Sequence, residues 1–247
     1  MNIAIIGYGK MGKQIHKFAL EKKHSIISII DKFAPEVNFK TVDSNSLKDV
    51  EVVIDFASPE GIEDRINEYV KNNVCVVMGT TGWYNNIDKI KKIVDDKIGF
   101  IWSGNFSLGV NIFFRIVKEA SKIFNNFPEY DSLAYEIHHN QKQDSPSGTA
   151  LMIGNVMLSE LKNKTKITTE KLDRKIESDE LHIASVRAGY YPGTHTVEFD
   201  SAVDTIELKH TARTREGFAV GAVMAAGWIK DKKGFFSIDD FMNAIIK

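Results

Sequence analysis

Residues 136–150 read Glu-Ile-His-His-Asn-Gln-Lys-Gln-Asp-Ser-Pro-Ser-Gly-Thr-Ala, so two adjacent histidines, a lysine and a helix start fall within fifteen positions. Imidazole is the side chain whose ordinary pKa lies near neutral pH, and a lysine ammonium is a proton donor or a partner for a carboxylate. A strand-like run begins near Leu133, and along an extended backbone His138 and His139 point to opposite faces. One of them can exchange a proton while the other binds or orients. Lys142 is close enough in sequence to serve the same cavity. Ser147 is an N-cap candidate, Gly148 admits close approach and Thr149 adds a hydroxyl ahead of an apolar run to Leu161. Unpaired N–H groups and the positive end of the helix dipole make such a start an anion site. A solvated His-His turn followed by an ordinary capped helix would explain the histidines alone. The whole cluster points instead to acid–base chemistry on a small carboxylate.

A second chemical element lies at the N-terminus. The apolar run 2–6 runs into Gly7-Tyr8-Gly9-Lys10-Met11-Gly12 and then a helical pattern through about Lys22. A G-x-G-x-x-G between strand and helix lets the backbone turn tightly and approach a pyrophosphate at the helix N-terminus. A second apolar strand over 25–30 ends at Asp31, nineteen residues beyond Gly12, the offset of the acidic residue that holds a ribose 2′-hydroxyl. Lys32 beside it is a cation for a 2′-phosphate, so this pair leaves NADH and NADPH both open. The alternative is a packing turn with a loop carboxylate.

The elements that must carry these residues alternate. Strands are expected at 52–56, 74–78 and 100–102 and helices at 60–72 and 87–95, a βαβ rhythm that implies a Rossmann-like doubly wound parallel sheet. Three small polar segments fall at the carboxyl ends of its strands, where such sheets bind ligands: Phe56-Ala57-Ser58, Gly79-Thr80-Thr81-Gly82 and Ser103-Gly104-Asn105-Phe106. From about Phe106 the pattern changes to a helix at 111–124, a charged stretch of mixed sign at 162–180 read as a solvated loop or edge strand, and alternating strands at 182–187, 194–200 and 205–211. That is a second α+β domain with a mixed sheet. Helices at 218–229 and 238–246 close the chain. The expected division is 1–105 together with 216–247 for the dinucleotide and 106–215 for substrate binding and oligomerisation.

Composition narrows the function classes. The 247 residues carry a formal net charge of −1, which gives no electrostatic case for nucleic acid or an anionic membrane. No apolar run approaches a membrane span, the N-terminus begins a strand where a signal peptide would have its apolar region, and a cytoplasmic location is the default expectation. Cys75, the single cysteine, sits in an apolar run and reads as a small buried hydrophobe. His138, His139 and Asp144 lack a convincing ligand pattern, so no metal is expected. Arg187 fits either a closing surface or an ion pair with the central sheet. His195 and His210 read as hydrogen-bonded structural residues.

The 136–150 segment, together with V-R-A-G-Y-Y-P-G-T-H-T-V-E-F at 186–199 and F-A-V-G-A-V-M-A-A-G-W at 218–228, resembles the 4-hydroxy-tetrahydrodipicolinate reductase (dihydrodipicolinate reductase) family over essentially the whole chain. The resemblance implies reduction, by NADH or NADPH, of a cyclic dicarboxylate imine precursor on the diaminopimelate route to lysine. It makes His138 a proton donor or acceptor and Lys142 the proton donor, with His139, Ser147, Gly148 and Thr149 on the substrate. It assigns the cofactor to Gly7, Tyr8, Gly9, Lys10, Met11, Gly12, Asp31, Lys32, Gly79, Thr80, Thr81, Ser103, Gly104, Asn105 and Phe106. It also implies a homotetramer built on the mixed sheet. The chain carries Lys32 where relatives often carry Arg, so a bidentate grip on a 2′-phosphate becomes a point-charge contact. The competing readings are another NAD(P)-dependent amino- or keto-acid dehydrogenase and a non-enzymatic dinucleotide sensor.

Overall fold

The computed structural model describes residues 1–246 and divides into two compact units, Met1–Leu108 with the segment from Glu216 onward, and Gly109–Arg215. The first unit opens with the expected alternation: β1 (Asn2–Ile6), α1 (Lys10–Glu21), β2 (Ser25–Ile30), β3 (Val52–Asp55), α2 (Ile62–Lys71), β4 (Cys75–Met78), α3 (Ile87–Val94) and β5 (Gly99–Trp102). Continuous apolar strands are needed because both faces of the sheet are covered, and β3 and β4 are buried at every position. The strand β2 departs from the expectation of a buried strand. It lies at the sheet edge, and only Ser28 and Ile30 along it are buried.

The chain order within this sheet is β11-β5-β4-β3-β1-β2, all parallel. The connection from β1 goes outward to β2 and then back across to β3, so the switch point falls between β1 and β3, where doubly wound sheets open a ligand crevice. The sixth strand, β11 (Gly234–Ser237), was not expected. It pairs with β5 between α6 (Glu216–Ile229) and α7 (Ile238–Ile245), so the C-terminal segment completes the sheet. A four-residue run of Gly-Phe-Phe-Ser abutting a helix start carries no period of its own, and only the partner strand makes it a strand. On one sheet face α6 buries Ala219, Gly221, Ala222, Val223, Ala225, Ala226 and Ile229. Small residues are required there, because a Cβ on Gly221 would lie 1.7 Å from the Phe106 carbonyl oxygen. Phe106 itself belongs to this core, so residues 106–108 fall in the first unit and not the second, contrary to the expected boundary.

In the second unit, α4 (Leu108–Phe124, the unit taking it from Gly109) and α5 (Gly148–Glu160) pack on a five-stranded mixed sheet, β10-β9-β6-β8-β7. Its strands are β6 (Asp131–His138), β7 (Lys166–Thr168), β8 (Glu180–Arg187), β9 (Thr194–Asp200) and β10 (Thr205–Thr211). The pairs β10/β9 and β9/β6 are antiparallel, and β6/β8 and β8/β7 parallel. The charged stretch 162–180 contains the short edge strand β7, yet it is not simply solvated: Lys164 and Glu180 are buried, and Lys164 Nζ donates to the carbonyls of Ser178 and Glu180 at 2.9 and 3.0 Å. No helix among the described residues is long and apolar enough to cross a membrane.

Candidate active site

Alternation along β6 sets up the chemistry of the second unit. Ser132, Ala134, Glu136 and His138 share the buried face, and the apolar residues of that row join the core while its last two positions are ionisable. Register extends the row sideways. Glu136 stands opposite Ser185 on β8 and His195 on β9, and His138 stands opposite Arg187. Residues directly opposite one another share a face, so five polar side chains from three strands converge at one end of the core.

Glu136 is wholly buried and is the centre of the group. Its Oε1 accepts from the Ser147 N–H at 2.8 Å, the Ser185 hydroxyl at 2.9 Å and Arg187 Nη2 at 2.7 Å. Its Oε2 accepts a short bond from the Ser147 hydroxyl and lies 3.3 Å from His195 Nε2 and 3.2 Å from His138 Nδ1. Burial opposes the charge, but hydrogen bonds from His195, Ser147 and Arg187 outweigh it and hold the carboxyl far below its usual range. Arg187 is therefore an ion-pair residue, and it also donates to the Asp144 carbonyl at 2.7 Å, which ties the loop after β6 to β8. His195 is part of this network, in keeping with the expected hydrogen-bonded structural role, and its partners are Glu136 and Ser147.

His138 is buried, and burial, reinforced by the nearby positive groups and opposed by Glu136, lowers its pKa to about 4. It is neutral at neutral pH. Its ring packs against Gly193, where a Cβ would fall 2.9 Å from Nε2 and where φ is +153°, so both space and backbone call for glycine. His139 lies beyond the strand end, half-buried, with its N–H on the Tyr191 carbonyl at 2.9 Å. The two histidines thus have separate environments, as alternation implied. Lys142 Nζ is paired with Asp144 at 2.7 and 2.9 Å, and that carboxylate is 58% exposed.

Ser147 is the N-cap of α5, its hydroxyl accepting from the Ala150 N–H at 3.1 Å. Because Ser147 N is committed to Glu136 and Ala150 N to the cap, the Gly148 and Thr149 N–H groups remain for a ligand at the positive helix end. A Cβ on Gly148 would meet nothing within 4 Å, so there is room to approach them. Glu136, His138 and His195 each bring one ligand atom within 4.8 Å of the others, a set that could hold a metal and differs from His138, His139 and Asp144. Ser147 and Arg187 already occupy that carboxylate, which makes the arrangement a hydrogen-bonded frame.

In the first unit, a cavity of about 790 Å³ lies at the β1/β3 switch point, lined among others by Gly7, Gly9, Asp31, Lys32, Lys40 and Ser58. Gly9 caps α1 with no side-chain hydrogen bond, and a Cβ there would meet nothing within 4 Å. An open glycine before an uncapped helix start is the cradle a pyrophosphate needs. Asp31 accepts from the N–H groups of Tyr8, Phe33 and Ala34 at 2.7, 2.8 and 2.9 Å. Burial pushes its pKa up, but those three donors and Lys40 hold it below the usual value. A carboxylate has about four acceptor positions, so one remains for a ribose hydroxyl. Lys10 is exposed and Met11 half-buried against the core.

The later strand ends are built differently from the open glycine loop. Thr80 is buried with its hydroxyl on Asp55 at 3.1 Å, Ser103 and Asn105 are buried and bonded to one another, and the Phe106 ring is in the core. Gly79 abuts the Phe56 ring, 2.2 Å from a would-be Cβ. Thr81 and Gly104 are exposed. Thus Gly7, Gly9, Asp31 and Lys32 line one cavity, and Gly79 to Thr81 and Ser103 to Phe106 do not line it. The single cysteine is buried with Sγ 3.3 Å from the Lys230 carbonyl oxygen.

Comparison with known proteins matches both units. Residues 1–106 fit the family model described as dihydrodipicolinate reductase, N-terminus, and residues 109–242 the model described as dihydrodipicolinate reductase, C-terminus. The chain belongs to the dihydrodipicolinate reductase family. Members are NAD(P)H-dependent oxidoreductases, and so is this chain. A 4-hydroxy-tetrahydrodipicolinate reductase of Christiangramia forsetii is 37% identical with all of both chains covered. One from Archaeoglobus fulgidus is 36% identical over 98% of this chain and 100% of its own. Among solved structures, a dipicolinate-bound dihydrodipicolinate reductase from Paenisporosarcina sp. TG-14 superposes with a TM-score of 0.78 at 21% identity, covering 97% of this chain and 98% of its own, which shows a shared fold.

Glu136, Ser185 and His195 are the site residues that sequence reasoning missed. A signal existed in the two-residue spacing of Glu136 and His138 on one strand face, but the cross-strand register that joins them to Ser185 and His195 is not written locally.

Proposed function

We propose that this chain carries out its family's reaction, NAD(P)H-dependent reduction of 4-hydroxy-tetrahydrodipicolinate to tetrahydrodipicolinate on the diaminopimelate route to lysine, with the second unit binding and protonating the substrate. The observation that carries the reading is the open pair of N–H groups at Gly148 and Thr149, at a helix start whose cap is locked to Glu136, the carboxylate that also lies 3.2 Å from His138.

When bound, a dihydronicotinamide supplies the hydride. Gly7, Gly9 and the α1 start would hold its pyrophosphate, and Asp31 with Lys32 its ribose end. The rest is the work of the chain's own residues. Gly148 and Thr149 N–H bind one substrate carboxylate, with His139 and the Thr149 hydroxyl orienting it. With the substrate's 4-hydroxyl lost as water, Lys142 exchanges its exposed partner Asp144 for the anionic substrate and delivers the proton that neutralises the charge left by hydride addition, so that substrate, dihydronicotinamide and a proton give tetrahydrodipicolinate, oxidised cofactor and water. His138, neutral at neutral pH, accepts a hydrogen bond or relays a proton. No step uses a metal. A homotetramer in the cytoplasm completes the proposal, supported by the half-buried or exposed Leu133, Tyr135, Ile137 and Val186 on the sheet face opposite the site.

The test is oxidation of NADH and of NADPH by the purified chain, with substrate generated in place from pyruvate and aspartate semialdehyde by the preceding synthase. Substrate-dependent loss of the dihydronicotinamide absorbance is expected, and comparison of the two cofactors ranks them. Cofactor binding without turnover would replace this reading with a dinucleotide sensor.

A further inference from the structure

We propose that Glu136 is the positioning residue of the second unit's site, holding the substrate-binding helix start, Arg187 and the two buried imidazoles in one frame without touching substrate itself. The proposal deepens the function argued above and rests on it for the identity of the substrate.

The saturation of this carboxylate is the first support. Its two oxygens offer about four acceptor positions. Ser147 N, Ser185 Oγ and Arg187 Nη2 fall on Oε1, Ser147 Oγ falls on Oε2, and the nitrogens of His138 and His195 crowd Oε2 at 3.2 and 3.3 Å. Nothing remains for a ligand, so Glu136 is not a catalytic residue.

Its partners come from four separate stretches of chain, β6, the α5 start, β8 and β9, and each does something for the site. By accepting from Ser147 at both N–H and hydroxyl, Glu136 fixes the cap and therefore the direction of the free Gly148 and Thr149 N–H groups. By pairing with Arg187, it holds the guanidinium that grips the Asp144 carbonyl, and so the loop carrying Lys142. Because a carboxylate only accepts, the nitrogen of His195 facing it is kept as N–H, while Nδ1 of His138 lies 3.2 Å from the same oxygen without a hydrogen bond. The contrast with Asp144 is instructive: one carboxylate is enclosed and immobile, the other exposed and exchangeable on Lys142.

The test uses full-length Glu136→Gln and the double variant Glu136→Gln/Arg187→Gln, with dipicolinate as the probe of the anion site. The single variant is expected to lose about 10²-fold in kcat, the scale of a misplaced reacting group, and about tenfold in dipicolinate affinity, while NADH affinity stays within about twofold. Removing a buried partner leaves Arg187 uncompensated and lowers the melting temperature; the double variant removes both charges and is expected to regain stability but not kcat or dipicolinate affinity. Nuclear magnetic resonance of the His138 ring adds a signed readout. With the favourable charge of Glu136 gone its pKa moves further down, whereas mere loosening of the site would admit water and move it up toward 6.5. Recovery of activity together with stability in the double variant would overturn the proposal, as would wild-type kcat and dipicolinate affinity in the single one, or an upward pKa shift. The dipicolinate and ring-titration arms need no turnover. A parent protein inactive on the substrate would therefore refute the proposed function and leave the role of Glu136 decided on its own.

Discussion

Two glycines of the first loop separate folding from binding, and Gly12→Ala against Gly9→Ala measures the separation. A Cβ built on Gly12 lies 2.1 Å from the Gly7 carbonyl oxygen, 3.1 Å from its carbon and 3.5 Å from Ile5 Cγ2. Real Cβ contacts essentially never fall under 3.0 Å, so the helix start and the loop must part by about 0.9 Å. Gly7 cannot retreat: its φ is +86°, and its own would-be Cβ direction runs into Phe56 and Ala57 backbone at 2.8 Å. Overpacking of this kind costs about 1–3 kcal/mol. For a chain of this size each kcal/mol lowers Tm by about 2–4 °C, giving a fall of roughly 2–12 °C for Gly12→Ala. Gly9 is the reverse case, with nothing within 4 Å and an ordinary φ of −78°. Gly9→Ala is expected to change stability by less than about 0.5 kcal/mol. Its methyl group stands in the cavity, however, and NADH binding should weaken about tenfold, or about 1.4 kcal/mol. Thermal denaturation and a fluorescence titration with NADH read both quantities. A Gly12→Ala protein that melts with its parent would refute the packing argument. A Gly9→Ala protein that binds NADH as tightly as its parent would remove the dinucleotide from the open side of the loop.

Other expectations follow from the second unit. Ser147→Ala removes the α5 cap and a hydroxyl on Glu136; it should cost about 1–2 kcal/mol in urea denaturation and weaken dipicolinate binding in calorimetry. The His138 ring should titrate at about 4 by nuclear magnetic resonance. Since the unfolded chain takes up that proton nearer 6.5, the stability owed to the neutral buried ring is complete above pH 6.5 and declines as pH falls toward 4, which denaturation across that window will show. Lys164→Met strands the carbonyls of Ser178 and Glu180 and should cost about 1–3 kcal/mol, with kcat unchanged. Lys142→Met should lower kcat by about 10²–10⁴-fold with the fold and NADH affinity retained, and near-normal turnover would remove Lys142 from the proton step.

Features carried by contiguous residues were legible in advance. The strand 2–6, the glycine loop and Asp31 lie within one βαβ unit, and the structure has β1 and β2 at their expected limits. The alternation in 194–200 and 205–211 likewise marked β9 and β10 without error. What depended on pairing was not legible. The strand β11 takes its identity from β5, and Glu136 takes its importance from Ser185, Arg187 and His195, residues 49, 51 and 59 positions away along the chain. A glutamate in an alternating strand looks like a surface residue until the register puts it under a helix cap. A hydrogen-bonded His195 is expected from the sequence, but its partners could not be named there, since they lie across the sheet and at the α5 start. The charged stretch 162–180 hid Lys164, whose ammonium is buried by carbonyls that no local pattern announces.

The return of α6 and β11 to the first unit also orders events during synthesis. One face of that unit's sheet is covered by α6, whose buried residues interleave with Ile5, Ile54, Val77 and Ile101 in a single core. On the ribosome those four strands emerge long before α6 exists, with α1 alone packed on an apolar face that α6 later completes, whereas the intervening Gly109–Arg215 unit is contiguous and holds its own core. The later-made unit can therefore be the first to finish folding. Release of a chain before Glu216 would leave bare the part of the sheet face that α6 covers, and a fragment ending at Leu108 is a poor surrogate for the dinucleotide unit even though it contains the entire glycine loop.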